Sequence, residues 1–162
     1  MSSAAAVPDL EIRAVTPADL GEILVHRRRM FEDMGHRDAA VLEEIVRSSQ
    51  PVLEAFLRDG SYVGWFAVTP DGRIAAGAGL LISPLLSGPL APERAERVYL
   101  WNVYTYPEFR KRGLARLLTQ RAIEYCRRHG HKILWLHASE FGRPLYESLG
   151  FRSTNEMKLI VE

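Results

Sequence analysis

The chain has 162 residues, 47% hydrophobic and 25% charged, with a net charge of +1. That length and balance suit one globular domain with a substantial core, and give no global field for a nucleic-acid track or an anionic membrane. No apolar run approaches the ~18 residues of a membrane helix, and the single cysteine, Cys126, excludes an internal disulfide or a cysteine-based metal site.

The opening Met-Ser-Ser-Ala-Ala-Ala has no basic region ahead of an apolar core, so residues 1–9 read as a disordered tail rather than a secretion signal. Residues 10–162 then form one domain, with the cytoplasm as its expected location. Glu11–Val15 is a short first strand. Thr16-Pro17-Ala18-Asp19 sets a cap residue before a proline at the first helical position, and the helix runs to about Met34, ahead of Gly35. A second helical region spans Asp38–Arg58, with a break expected at Ser48–Pro51, where proline suits the first turn of a new helix. Tyr62–Val68 and Arg73–Ile82 are rich in β-branched and aromatic residues and flank Thr69-Pro-Asp-Gly72, a hairpin signature.

Ser83–Pro92 is a Ser/Pro/Gly-rich loop, and Val98–Thr105 is a third long strand, ended by Pro107. Apolar residues from Arg112 to His129 follow helical spacing, which puts Cys126 on the buried face, and Gly130 closes that helix. Lys132–His137 is a strand, Gly142–Leu149 a brief helix, and Met157–Val161 a last strand. Helices interleaved with hairpins and one β-α-β crossover predict a mixed α/β sheet covered on both faces, with Val98–Thr105 and Lys132–His137 as parallel neighbours. Ligands of open α/β sheets sit beyond the carboxyl ends of such strands.

Charge is concentrated at that place. Residues 103–132 hold eight Lys/Arg against two acids, while the rest of the chain is net acidic. Such a local focus suits a small polyanion better than a nucleic acid. Within it, Tyr104-Thr-Tyr-Pro-Glu-Phe-Arg-Lys-Arg-Gly-Leu-Ala115 ends a strand and brings three cations and a glycine to a helix start. Free N–H groups and the positive end of the helix dipole make an anion site there, and Gly113 removes the side chain where a phosphate approaches the backbone. Neither a Gly-x-x-x-x-Gly-Lys-Ser/Thr loop nor a Gly-x-Gly-x-x-Gly turn is present.

Val103 through Leu118, centred on Arg110-Lys-Arg-Gly-Leu-Ala115, resembles the central Arg/Gln-x-x-Gly-x-Gly/Ala motif of the GNAT superfamily of acyl-CoA N-acyltransferases. Leu136-His-Ala-Ser139, followed by Gly142-Arg-Pro-Leu-Tyr-Glu-Ser-Leu-Gly-Phe151, resembles the same family's Tyr-x-x-x-Gly-Phe segment, and Thr154–Met157 is similar to the ending of a bacterial subgroup. The resemblance implies a sheet of six or seven mostly antiparallel strands with a splayed central parallel pair. It implies acetyl-CoA as co-substrate, with its pyrophosphate on the backbone of Arg112–Ala115 and on Arg110, Lys111 and Arg116. It further implies that Val103, Tyr104 and Thr105 pair with the pantetheine arm, and that Ser139, Arg143 and Tyr146 lie alongside. Ala115 replaces the family's commoner glycine, and Ser139 stands where many relatives carry Asn.

The implied reaction is direct attack of an amine on the thioester, without a covalent enzyme intermediate. A bulge on the central strand would free a backbone N–H, from Val103 or Tyr104, for the thioester oxygen. Tyr146 is the expected general acid, since a phenol of ordinary pKa ~10 stays protonated beside a thiol of ~8.5. Asn102 is expected to orient a water toward a base whose identity stays open among Glu32, Asp33, Glu96, Glu156, His36 and His137. The first helix carries His26-Arg-Arg-Arg-Met-Phe-Glu-Asp-Met34, in which Phe31 and Met34 are candidates for the acceptor cleft, and Trp65 and Trp101 are core or cleft-lining. No metal is expected. The acceptor is a small-molecule or peptide amine, with neither nucleic acid nor membrane as partner and a homodimer left open. The alternative reading is a non-catalytic CoA-binding regulatory module of the same fold.

Overall fold

The computed structural model describes residues 10–161, so the expected tail over 1–9 lies outside the described residues. Five strands, β1 (Glu11–Ala14), β2 (Tyr62–Val68), β3 (Ile74–Pro84), β4 (Glu96–Thr105) and β5 (Leu134–Trp135), lie in the order of the chain in one sheet. The first three junctions are antiparallel and β4–β5 is parallel, as the crossover requires. Helices α1 (Leu20–Asp33) and α2 (Ala39–Asp59) cover one face. Helix α3 (Leu114–Arg128) covers the other, and α4 (Arg143–Ser148) follows β5.

Local chemistry explains the boundaries. Thr16 and Asp19 form a reciprocal capping pair, with Thr16 N donating to Asp19 at 2.8 Å, and Arg13 grips the same carboxylate at 2.7 Å. A 3₁₀ turn, Pro17–Asp19, leads from there into α1. Asp38 caps α2 by accepting from Ala40 and Val41, and Gly60, at φ +82°, ends it.

The strands alternate between two cores. Trp65 and Ala67 of β2 face Leu80, Leu100, Leu114, Leu118 and Ala122 on the α3 side. Tyr62 and Phe66 face Ile23, Leu24 and Leu53 on the α1/α2 side. Burying a side chain such as Leu118 is worth about 1.5–3 kcal/mol. Cys126 packs in the α3 core, and burial pushes its thiol up to about 11, which removes it as a nucleophile.

The structure corrects two expected elements. α2 does not break at Ser48–Pro51: it is continuous, with Pro51 inside, because Leu42 and Leu53 on either side of the proline are both buried on the same sheet face. Met157–Val161 forms no strand. β5 pairs with β4 over only two residues and offers no long edge for a further strand, so Met157, Leu159, Ile160 and Val161 remain exposed. The sheet therefore has five strands among the described residues rather than six or seven, and β5 is shorter than Lys132–His137.

Candidate active site

The turn after β4 is built for an anion. A 3₁₀ turn, Pro107–Phe109, buries Phe109 and reverses the chain; Lys111 and Gly113 then adopt φ +60° and +78°, and α3 starts at Leu114. No backbone carbonyl among the described residues accepts from the N–H groups of Lys111 to Arg116, whereas Leu117 N donates to Gly113 O at 3.0 Å. Space is open where a Cβ would stand on Gly113, so a ligand can approach the backbone. Those donors, the helix dipole and the surrounding cations fit a pyrophosphate.

The cations are held by the protein. Arg110 pairs with Asp33 of α1 and donates to Thr105 O at 3.0 Å, and Arg112 donates to Glu108 O at 3.0 Å. Arg116 reaches Ser148 of α4 at 2.7 Å, and Arg143 reaches Ser153 at 3.2 Å. Ser139 caps the turn into α4, its Oγ accepting from Gly142 N at 3.1 Å.

Two irregularities open the sheet beside this turn. β3 pairs Gly77 with Tyr104 but Gly79 with Trp101, so Asn102 and Val103 together oppose Ala78. This is a β-bulge, and it holds Asn102 at φ +52°, a left-handed conformation rare for a non-glycine residue. On the other side, β5 pairs only with Val98 and Tyr99, so the edge of β4 beyond Tyr99, including Val103, Tyr104 and Thr105, has no strand neighbour. The parallel pair is splayed as expected, and an extended chain with amide groups fits the gap.

Two hollows lie beside the sheet, and one of them touches β4 at Trp101 and Asn102. One, of about 300 Å³, lies between the exit of β5 and α4 and is lined by His137, Tyr146, Phe151 and Glu156. Tyr146 packs edge-on to Phe151 with ring centroids 5.7 Å apart. Burial pushes its phenol up to about 12, so it is protonated at neutral pH.

The other hollow, of about 200 Å³, lies on the opposite face. Arg27 of α1, Ser48 and Ser49 of α2, Tyr62, Trp101 and the bulge residue Asn102 line it. Arg27 donates to Ser49 Oγ at 2.9 Å and only distantly, at 3.4 Å, to Asn102 Oδ1. Asn102 Nδ2 in turn lies 3.5 Å from Tyr62 Oη. The guanidinium sits over the rings of Phe31 and Trp101 at 5.3 and 5.4 Å.

On the same face a polar cluster forms around the buried His26, with Glu22 and Tyr106 partly exposed. His26 is 1% exposed, with Nε2 3.1 Å from Glu22, and Tyr106 donates to the same carboxylate at 2.6 Å. Desolvation holds the imidazole down at about 4 despite Glu22, and raises the Tyr106 phenol well above its ordinary range.

The fold thus gathers the motif residues at the splay, with Asn102 in the bulge. Phe31 supports Arg27 from beneath, while Met34 lies exposed at the end of α1 and lines neither hollow. Of the acidic base candidates, Glu32 pairs with Arg28, Asp33 with Arg110, Glu156 with Arg97, and Glu96 with both Arg94 and His131. His137 hydrogen-bonds Tyr99, and His36 packs on Phe31. Arg27, Ser49 and Tyr62 were not singled out by the sequence; the nearest signal was the run His26–Met34, whose three successive arginines must face several directions.

No helix is long and apolar enough to cross a membrane, and no group of three or more His, Cys, Asp or Glu suited to a metal occurs among the described residues. The model of the acetyltransferase (GNAT) family matches residues 26–151. A glucosamine 6-phosphate N-acetyltransferase of Trypanosoma brucei brucei is 29% identical over 150 residues, spanning 91% of this chain and 92% of that protein. The crystal structure of a GCN5-related N-acetyltransferase from Ralstonia eutropha JMP134 superimposes with a TM-score of 0.88 at 34% identity, over 94% of this chain and 98% of that one. A predicted acetyltransferase of Clostridium acetobutylicum, solved with acetyl-CoA, shares the fold at 23% identity and a TM-score of 0.80, over 94% and 96% of the two chains. With its cation-rich turn of free N–H groups, bulged β4 and splayed parallel pair in that company, the chain belongs to the GNAT family, the acyl-CoA-dependent N-acyltransferases.

Proposed function

We propose that this protein transfers an acetyl group from acetyl-CoA to the primary amine of a small acceptor by direct attack, with Tyr146 as general acid. The observation that carries the reading is the run of unaccepted N–H groups from Lys111 to Arg116 next to the unpaired edge of β4. Arg112–Ala115 hold the pyrophosphate, with Lys111 and Arg116 adding charge, and Val103–Thr105 pair with the amide-bearing arm. Ser139, which holds the turn before α4 by accepting from Gly142 N, and Arg143, which reaches Ser153, keep that helix and its Tyr146 in place beside the thiol end.

Acetyl-CoA supplies a thioester: the amine lone pair forms the new C–N bond, the C–S bond breaks, and the electron pair leaves on sulfur. A backbone N–H freed by the bulge, at Val103 or Tyr104, is the donor we assign to the carbonyl oxygen. Tyr146 gives its proton to the departing thiolate and recovers one from solvent, and the cationic nitrogen of the tetrahedral adduct loses its extra proton to water oriented by Asn102. A phenol of pKa about 12 is a reluctant acid in water, but the desolvation that raises it also raises the basicity of a thiolate released beside it. The amine enters from the α1/α2 face, opposite the CoA turn, through the hollow of Arg27 and Asn102. The trypanosomal relative, named for glucosamine 6-phosphate, makes a small amine the first class to try.

The test is acetyl-CoA turnover over a panel of amino acids, amino sugars, polyamines and peptides, with intact-mass detection of acetylated product. Product with at least one amine is the expected result. Tight acetyl-CoA binding with no product from any amine would favour the non-catalytic module.

A further inference from the structure

The hollow on the α1/α2 face contains one positive charge and no negative one. Its polar lining is Arg27, Ser48, Ser49, Tyr62, Trp101 and Asn102, and none of these is a carboxylate. Arg28, Arg47, Arg58, Arg97 and Arg110 each have an acidic partner, but Arg27, half-buried, forms no ion pair among the described residues. Desolvation dominates the environment of its guanidinium, and no carboxylate offsets it. A partly buried charge without a counter-charge is costly, and a protein keeps one where a ligand supplies the partner.

Further donors stand unsatisfied at the same place. The Trp101 indole N–H is buried without an acceptor, and both polar atoms of Asn102 make only contacts of 3.4 Å or longer. The hollow thus holds one fixed positive charge and no fixed negative one, while its hydroxyls and the Asn102 amide can donate as well as accept. We propose that it is an anion subsite: the acceptor amine carries a carboxylate or phosphate, which the Arg27 guanidinium binds while the amine points toward the bulge at Asn102–Val103. The rings of Phe31 and Trp101 lie 5.3 and 5.4 Å from the guanidinium carbon and limit its movement, and a guanidinium suits an oxyanion because it can donate two parallel bonds to it.

This assignment rests on the reading that the chain acetylates an amine entering by this face, and its test separates the two. Three pairs of probes differ only in the anion: L-phenylalanine and phenethylamine, L-methionine and 3-(methylthio)propylamine, glucosamine 6-phosphate and glucosamine. Each is measured twice, by acetyl-CoA turnover and by calorimetric binding to the protein saturated with CoA. The anionic member of at least one pair should be favoured about 10–100-fold in both readouts, the scale of a charge-assisted bidentate contact. Preference within the first two pairs identifies a carboxylate, and preference within the third a phosphate. Arg27→Gln should bring the ratio close to one and Arg27→Lys should restore part of it, with acetyl-CoA binding as the check that each variant is folded. Neutral amines bound and acetylated as well as their anionic partners would overturn the subsite while leaving the acetyltransferase reading intact. Anion-selective, Arg27-dependent binding without turnover would do the reverse. No binding of any probe, or a preference that survives Arg27→Gln, would also overturn the subsite.

Discussion

The two faces of the sheet are made of different material. Apart from Trp65, Phe109 and Cys126, the buried α3 face is aliphatic and small-residue: Ala67, Ala75, Ala76, Ala78, Leu80, Leu100, Leu114, Leu118 and Ala122 lie there with no polar side-chain atom among them. The α1/α2 face holds Tyr62, Phe66, His26 and Asn102, a half-buried Arg27, and the strand glycines Gly77 and Gly79. Those glycines make room for aromatics: a Cβ on Gly79 would collide with the Tyr62 hydroxyl, and one on Gly77 would come within 2.8 Å of His26 and Phe66. One face is a closely packed apolar layer under α3, and the other keeps polar groups under cover beside the hollow of Arg27 and Asn102, the side we propose for the acceptor. The difference teaches where selectivity can change without disturbing acetyl-CoA binding.

Substitutions can break that division. The largest effect should come from Tyr146→Phe, which keeps the contact with Phe151 but loses the proton: kcat should fall by roughly 10²–10⁴, with acetyl-CoA Kd near wild type. Wild-type kcat under rate-limiting chemistry would remove Tyr146 from the mechanism. Gly113→Glu should weaken acetyl-CoA binding by ~100-fold or more, about 2.7 kcal/mol, through like-charge repulsion at the turn. Calorimetry on the folded variant decides, and unchanged affinity would move the anion site elsewhere. Leu118→Ala should cost about 2–5 kcal/mol in denaturant unfolding and leave acceptor KM alone. Gly79→Ala should do the opposite, raising acceptor KM for a stability loss of only about 1–3 kcal/mol as Tyr62 is displaced.

The smallest effect is on pH dependence and belongs to the α1/α2 face. The imidazole of His26 lies at about 4 in the folded protein against 6.5 in the unfolded chain, so the unfolded state binds more protons between those values. Stability from this group is therefore complete above pH 6.5 and is lost as pH falls toward 4, by on the order of 3 kcal/mol. His26→Gln should flatten that part of the curve of Tm against pH; an unchanged slope would assign it to other groups.

The half of the site that was legible in the sequence is the half made of one continuous segment. Pro107, Gly113 and the cations between them are neighbours in the chain, and the turn they form is dictated locally, as is the spacing of Tyr146, Gly150 and Phe151. The α1/α2 hollow is assembled from α1, α2, β2 and β4, so Arg27 meets Asn102 only after folding, 75 positions along the chain. Periodicity marked Asn102 as a strand residue but could not reveal its positive φ, which comes from the register shift against Gly77 and Gly79. Pro51 misled for a related reason: its local preference is to start a helix, and it yields to the buried leucines on either side. Met157–Val161 has the composition of a strand, but β5 gives it too short an edge to pair with.

The proline in α2 also bears on motion. Pro51 has no N–H, so the carbonyl of Arg47 loses its rung just where Ser48 and Ser49 line the hollow. The turns before it, Ala39–Gln50, are mostly exposed, with Leu42 their one fully buried anchor. With one buried anchor and a missing rung, this segment should open by local unfolding at lower free energy than α3. Amides of Ala39–Gln50 should exchange with deuterium well before those of Leu118–Cys126, and a bound acceptor should slow them selectively. If the proposed acceptor enters there, one missing hydrogen bond some distance from the chemistry would set how readily that wall gives way.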